Sequence, residues 1–306
     1  MSYTFGPVPS RRLGRSLGVD LVPFKTCTFD CIYCQLGKTT DKRMDRKTFF
    51  APRDIIKDVL RRLKEIPRPD YITLSGSGEP TLYSPIEEII SGIKKTTDIP
   101  VVLLTNGSLF WIDEIRAAVK EADLIIPSLD AGDKNIFAYV NRPHSGISFE
   151  KTVEGLCRLR ETYKNPIWLE VFLIGGVTDI RGEILKIKKW ADCIAPDRIQ
   201  LNTAVRIPAE GFVDMVGKEK MEELRSLFGK KCEVIADYSK VHSVGEFRRT
   251  QEDVLDLLKR RPCSVDDISD GLNLHRNETA KYVQELMDRH LIKREMRGNR
   301  VLFFAH

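Results

Sequence analysis

Between about Leu17 and Leu201, short β-branched or leucine-rich runs alternate with helical patterns, and this alternation constrains the fold most: repeated β-α units bury their apolar faces around a parallel sheet. Strands are expected at Leu17–Val22, Tyr71–Ser75, Val101–Leu104, Leu124–Pro127, Ile167–Ile174 and Arg198–Leu201. Six strands in this arrangement predict an α/β fold, a partial parallel (β/α)6 barrel. Ile86, Ile89, Ile90 and Ile93 recur at helical spacing behind a Ser84–Pro85–Glu87 capping box, and Ile56, Val59, Leu60 and Leu63 repeat the pattern one unit earlier. These helices are expected to cover the outer face of the sheet.

A further strand is expected at Glu233–Ile235, after which Tyr238 to Arg249 loses periodicity and gains charge. The chain therefore divides into a catalytic-size domain at 1–240, a linker at 241–249 and a second domain at 250–306. In the tail, Thr250–Arg260, Ser264–Leu272 and His275–Arg289 read as three helices. Leu291–Lys293 and Val301–Phe304 read as strands flanking Gly298, a C-terminal winged helix-turn-helix domain.

A chain of 306 residues with 42% hydrophobic residues can bury a substantial core. Met1 to Arg15 carries no apolar run of the kind a signal peptide needs, and Glu170 interrupts the most apolar strand, so a cytoplasmic location without a membrane span is expected. Seven cysteines are too few for a disulfide scaffold of this size, and three crowd between Cys27 and Cys34, which suits a reducing compartment and a metal site. Cys157 lies with Val153 and Leu156 on an apolar helical face; it and the isolated Cys193, Cys232 and Cys263 are expected to be core thiols. The net charge of +5 permits an anionic partner without requiring one. From Thr250 onward ten basic residues balance ten acidic ones, so the excess lies in the first 249.

Cys27-Thr28-Phe29-Asp30-Cys31-Ile32-Tyr33-Cys34 puts three thiols in the loop after the first expected strand, the end of the sheet where parallel α/β proteins build their sites. Soft thiolates suit zinc or an iron–sulfur cluster. Structural zinc is usually closed by a fourth ligand, yet no His or Cys occurs from Gln35 until His144, so a cluster with one open iron fits the count better. The CxxxCxxC spacing, with Tyr33 just before the last Cys, resembles the signature of the radical S-adenosylmethionine (SAM) superfamily. That resemblance implies a [4Fe-4S] cluster on Cys27, Cys31 and Cys34, with the SAM amino and carboxylate groups on the fourth iron. It further implies an electron donor such as flavodoxin or ferredoxin, and cleavage of SAM to methionine and a 5′-deoxyadenosyl radical.

By the same resemblance, Ser77, Gly78 and Glu79, in a GxGEP form of the family's GGE-like turn, receive the SAM amino group. Asn106 stands at the next strand end, Ser128 or Asp130 is the ribose contact, Gly176 lies where backbone meets adenine, and Asn202 follows the sixth strand. Glu170, a carboxylate within an apolar strand, must be paired or face a polar lumen. Arg142 with His144, and the group Arg11, Arg12 and Arg15, read more simply as solvated surface than as anion sites. No catalytic acid or base stands out.

Gly6-Pro7-Val8-Pro9-Ser10-Arg11-Arg12-Leu13-Gly14, the cysteine loop and Ser75–Leu82 together resemble the subgroup related to wyosine-base synthase, an enzyme of tRNA modification, over about Phe5 to Asn202. No second cysteine trio precedes Cys27, so the second cluster of those enzymes has no counterpart here. Three functions stay open: modification of RNA, with Arg276, Lys281, Arg289, Arg294, Arg297 and Arg300 of the tail as a clamp; modification of a peptide or small metabolite; and an iron–sulfur redox sensor that regulates DNA.

Overall fold

The computed structural model describes residues 2–10, 12–205, 208–236, 251–272, 274, 279, 282–283, 286–297 and 300–305. Arg11, the linker 241–249, Arg276, Lys281 and Gly298 lie outside the described residues, as do the side chains of Arg297 and Arg300.

The chain opens with an antiparallel pair, β1 (Thr4–Ser10) and β2 (Gly14–Val19). Sequence alternation misses β1 because Gly6, Pro7 and Pro9 break its pattern; an edge strand tolerates them because half of its backbone donors need no partner. Pairing with β1 also moves the second strand upstream of the expected Leu17–Val22. Two residue pairs, β3 (Thr26–Cys27) and β4 (Asp41–Lys42), clasp the base of the cysteine loop.

Parallel units then follow: α1 (Pro52–Glu65), β5 (Tyr71–Leu74), α2 (Ile86–Lys94), β6 (Val101–Thr105), α3 (Asp113–Ala118) and β7 (Leu124–Pro127). After them come α4 (Lys134–Val140), α5 (Phe149–Thr162), β8 (Trp168–Leu173), α6 (Arg181–Ile194), β9 (Arg198–Thr203), α7 (Lys218–Phe228) and β10 (Cys232–Val234). One sheet has the order β1-β2-β5-β6-β7 and the other β10-β9-β8. Parallel bridges Ile125↔Ile167 and Ser128↔Glu170 join β7 to β8, so the two sheets make one wall. Every neighbour pair in it is parallel except β1 with β2.

Helical spacing works as expected in α2, where Ile86, Ile89, Ile90 and Ile93 are buried in the main core. In α1 only Val59 of the expected face is buried, Ile56 and Leu63 are partly buried against the core, and Ile55, outside the expected set, is fully buried. The expected capping box before α2 does not form; Pro85 takes the cap position and no side chain caps the helix. Asp133 and Ser148 do cap α4 and α5. Cys157 and Cys193, expected as separate core thiols, form a disulfide between the adjacent α5 and α6, with Cα atoms 5.8 Å apart. Sequence cannot reveal this pairing, because β8 separates the two helices along the chain.

The tail contributes α8 (Gln251–Arg260), α9 (Val265–Leu272) and a hairpin of β11 (Ile292–Arg297) with β12 (Arg300–Ala305). These elements bury their own apolar cluster, including Val254, Leu258, Ile268, Leu272 and Phe303. The bridge Cys263↔Phe303 ties the hairpin to the helices. Ion pairs Arg62–Asp253 (3.3 Å) and Arg260–Asp20 join the tail to the parallel wall. No helix among the described residues is long and apolar enough to cross a membrane.

Candidate metal centre and cofactor cavity

Cys27 ends β3, Cys31 and Cys34 lie in the irregular chain beyond it, and all three are free thiols. Each sulfur meets a nitrogen donor. Asn106 Nδ2 (3.6 Å) and the Phe29 amide (3.5 Å) point at Cys27, Asn141 Nδ2 (3.4 Å) at Cys31, and Lys25 Nζ (3.3 Å) at Cys34. Such donors lower the cost of electron-rich sulfur and tune the potential of a bound cluster. Burial, reinforced by Glu79, pushes the Cys27 thiol up to about 12, and burial with the nearby Asp130 carboxylate raises Cys31 as well. Thiols in that setting hold their protons until a cationic centre compensates the thiolates. Three soft thiols that feel one another's charge and are ringed by N–H donors fit an iron–sulfur cluster on chemical grounds.

The turn after β5 is stitched to this loop. Lys25 N donates to the Ser77 carbonyl (2.6 Å) and Glu79 N to the Thr26 carbonyl (3.0 Å). A Cβ on Gly78 would stand 1.8 Å from the Thr26 oxygen, so only glycine fits. Gly76 has φ +120 and packs against Asp20. The Glu79 carboxylate, 2% exposed, is fully engaged: Oε1 accepts from Thr81 N, Thr81 Oγ1 and Thr105 Oγ1, and Oε2 accepts from Asn106 N. Burial nonetheless raises its pKa. What the turn can still offer a ligand is backbone. Ser77 donates its amide to Asp20 Oδ1 (2.7 Å) and is buried, while Gly76 and Gly78 line the cavity.

Two connected cavities of about 420 and 400 Å3 open beside the cysteines. They share Val8, Gln35, Leu36, Ser128 and Glu170. Cys27, Cys31, Glu79 and Asn106 line one; Tyr33, Cys34, Phe172 and Asn202 line the other. Because β6 through β9 and the turn after β5 all contribute lining residues, the wall wraps around this space. Tyr33 stacks on Phe172 with ring centroids 3.9 Å apart and donates its hydroxyl to Asp130 Oδ2 (2.5 Å). Asp130, 3% exposed, also accepts from Asn141 Nδ2 and Phe172 N, and burial pushes its carboxyl up to about 6.

The expected cofactor residues thus fall into two groups. Tyr33, Gly78, Glu79, Asn106, Ser128 and Asn202 border the cavity. Asp130 instead braces Tyr33, Ser77 faces Asp20, and Gly176 sits exposed in a turn with φ +73, its amide donating to Asp179. Asn202 lies within β9 and donates to Glu170 Oε1 (2.9 Å). Glu170 both pairs and faces the lumen: Arg12 Nη1 meets its Oε2 at 2.6 Å. Arg12 is therefore no solvated surface residue; the β1–β2 turn, invisible in the periodicity, carries it inward. Arg15 pairs with Asp70 and Arg142 with Glu210. Sequence reasoning also missed Lys25 and Asn141 as sulfur donors, and Arg260 and Arg261 as lining residues. Nothing in their local sequence announces these roles, which come from long-range packing.

Comparisons with known proteins agree with this geometry. Residues 21–190 match the model of the radical SAM superfamily. A protein of Brachyspira hyodysenteriae named GTPase Obg is 38% identical over 98% of this chain, although the chain spans only 45% of that relative's length. A UPF0026 protein of Methanocaldococcus jannaschii is 31% identical, covering 89% of this chain and 87% of its own length. The solved radical SAM methyltransferase of Sphaerobacter thermophilus shares the fold at 15% identity, covering 73% of this chain and 67% of that one, with a TM-score of 0.58. The chain belongs to the radical SAM superfamily, enzymes that work with a [4Fe-4S] cluster and SAM.

Proposed function

We propose that Cys27, Cys31 and Cys34 hold the cluster and that the cavity edges at Gly76–Glu79, Asn106, Ser128 and Asn202 form the bed for SAM, in a partial barrel spanning 1–240. The cluster, when bound and reduced, supplies the electron that cleaves SAM to methionine and a 5′-deoxyadenosyl radical for hydrogen abstraction. The chain's own residues do the rest. Lys25, Asn106 and Asn141 orient and stabilise the sulfurs, Glu79 fixes the turn, and Tyr33 on Phe172 shields one side of the space from water. The observation that carries this reading is the position of three donor-ringed thiols along the two adjoining cavities, one of which the glycine turn borders. The test is anaerobic incubation of the reconstituted protein with dithionite and SAM. Formation of 5′-deoxyadenosine that is lost in Cys27→Ala supports it; equal yields from both proteins overturn it.

For substrate class we favour RNA, with residues 250–306 as a winged helix-turn-helix that grips it. Two helices followed by a hairpin with exposed Lys293 and Arg294 support this order of elements and place positive charge on the hairpin. A small metabolite is the second reading, favoured by one observation: Leu257, Arg260, Arg261 and Gly271 of the tail wall the cavity, whose volume suits a nucleotide-sized ligand. Filter binding to RNA separates the two. Loss of affinity on Lys293→Glu with Arg294→Glu favours RNA; unchanged affinity favours the metabolite.

A further inference from the structure

The end of α8 brings two consecutive arginines, Arg260 and Arg261, to the cavity beside the parallel wall. Arg260 is spoken for: it pairs with Asp20 and lies over the Phe5 ring, 3.6 Å from its centroid. Arg261 is not. It is 7% exposed and lines the same cavity as Cys27, Cys31, Glu79 and Asn106, yet its side chain has no hydrogen bond or ion pair among the described residues. Its backbone is fixed, the amide bonded to the Leu257 carbonyl (3.2 Å) and the carbonyl accepting from Cys263 Sγ (3.6 Å). The other arginine in this space, Arg12, is committed to Glu170.

With no counter-charge among the described residues, the guanidinium keeps its donors open to the cavity that it lines. Chains keep such a group where a ligand supplies the missing anion. This inference rests on the SAM-enzyme reading proposed above, in which Cys27, Cys31 and Cys34 would hold the cluster that takes up SAM and Arg261 would be left for the substrate. We propose that Arg261 is a substrate-recognition residue that binds an oxyanion, a phosphate or carboxylate group of the substrate, beside the cysteine loop. Its planar fork of donors matches two oxygens of either group. The tail is then part of the active-site wall, setting which substrates are held within reach of the reaction, in addition to any role in gripping a partner.

The test titrates the cluster-loaded protein with inorganic phosphate and, separately, with acetate, following binding by calorimetry and melting temperature. Wild type is expected to bind at least one of them, and Arg261→Gln to bind it at least tenfold more weakly; Arg261→Lys, which keeps charge without the fork, falls between. The same anion raises the melting temperature of wild type and not of Arg261→Gln. The stronger of the two anions identifies the substrate group. Saturation with SAM leaves the affinity unchanged. Absence of binding to wild type, equal affinity in Arg261→Gln, or competitive displacement of the anion by SAM would each overturn the proposal. Failure of wild type to cleave SAM would instead sink the enzyme reading, while the anion titration still judges Arg261 on its own.

Discussion

Replacing Glu79 by Gln changes one oxygen to an NH2 at a place where four donors converge. Oε1 faces Thr81 N, and Oε2 faces Asn106 N at 2.8 Å. Whichever way the amide is turned, its NH2 meets one of these two backbone N–H groups, which cannot accept a hydrogen bond. One charge-assisted bond is lost and a buried donor is orphaned, at a cost of about 1.5–3 kcal/mol. Relief of the carboxylate's own desolvation, visible in its raised pKa, offsets part of this, so the net loss is about 1–3 kcal/mol. For a chain of this size that is a fall in melting temperature on the order of 5 °C. The damage is local as well, since Asn106 also points at Cys27 and donates to Thr28 Oγ1 at 2.7 Å. Thermal melts and iron content after reconstitution read the two effects. A Glu79→Gln protein that melts within about 1 °C of wild type and retains its full iron would refute the claim that this carboxylate fixes the turn to the cysteine loop.

Further outcomes follow from the same contacts. Asp130 has a folded pKa of about 6 against 3.8 unfolded, so the folded state binds its proton more tightly. Its contribution to stability is present below about pH 4 and declines as pH rises through about 6, by about 3 kcal/mol in total. Denaturant melts at pH 4.5, 5.5 and 7 should show this slope flattened in Asp130→Asn; an unchanged slope would sink the assignment. Gly78→Ala drives a methyl into the Thr26 carbonyl, 1.8 Å from its oxygen, and is expected to lower reconstituted iron more than Gly176→Ala, whose site has nothing within 4 Å. Reduction of Cys157–Cys193, 36 residues apart, is expected to cost up to about 4 kcal/mol from loop entropy alone, and non-reducing peptide mapping should recover the cross-linked pair. Isolation of both peptides unlinked from oxidised protein would count against the bond.

Periodicity carried the parallel wall well, because β5 to β9 and the helices between them are long-patterned elements whose buried faces repeat at two or 3.6 residues. It failed at β1, where glycine and prolines hide an edge strand, and that failure propagated: without β1 there is no turn to carry Arg12 into the lumen, and Glu170 is left without its partner. The cysteine spacing was legible because ligands of one centre can be close in sequence. Its surroundings were not, since Lys25, Asn106 and Asn141 reach the sulfurs from three separate loops. Asp130 illustrates the limit from the other side. A short acidic residue at a strand end reads as a ligand contact, yet the fold spends it on holding Tyr33, a choice set by the packing of Phe172 on the neighbouring strand.

Asp20 shows how closely the tail and the cofactor turn depend on each other. One carboxylate oxygen accepts the Ser77 amide and lies where Gly76 must lack a side chain; the other meets Arg260. Burial raises the pKa of Asp20 and lowers that of Arg260, so each charge is costly alone and is held in place by the other. A pair like this adds little net stability compared with an apolar replacement, but losing one member strands the other. Its effect is therefore on geometry: α8 has one seat in which Arg260 is neutralised, and that seat is defined by the same residue that shapes the turn after β5. Arg261, the next residue along, is consequently positioned relative to Gly76 and Gly78 by the Asp20–Arg260 contact, together with the Phe5 ring under Arg260 and the Arg62–Asp253 pair, which is the support that a recognition group beside a reactive centre requires.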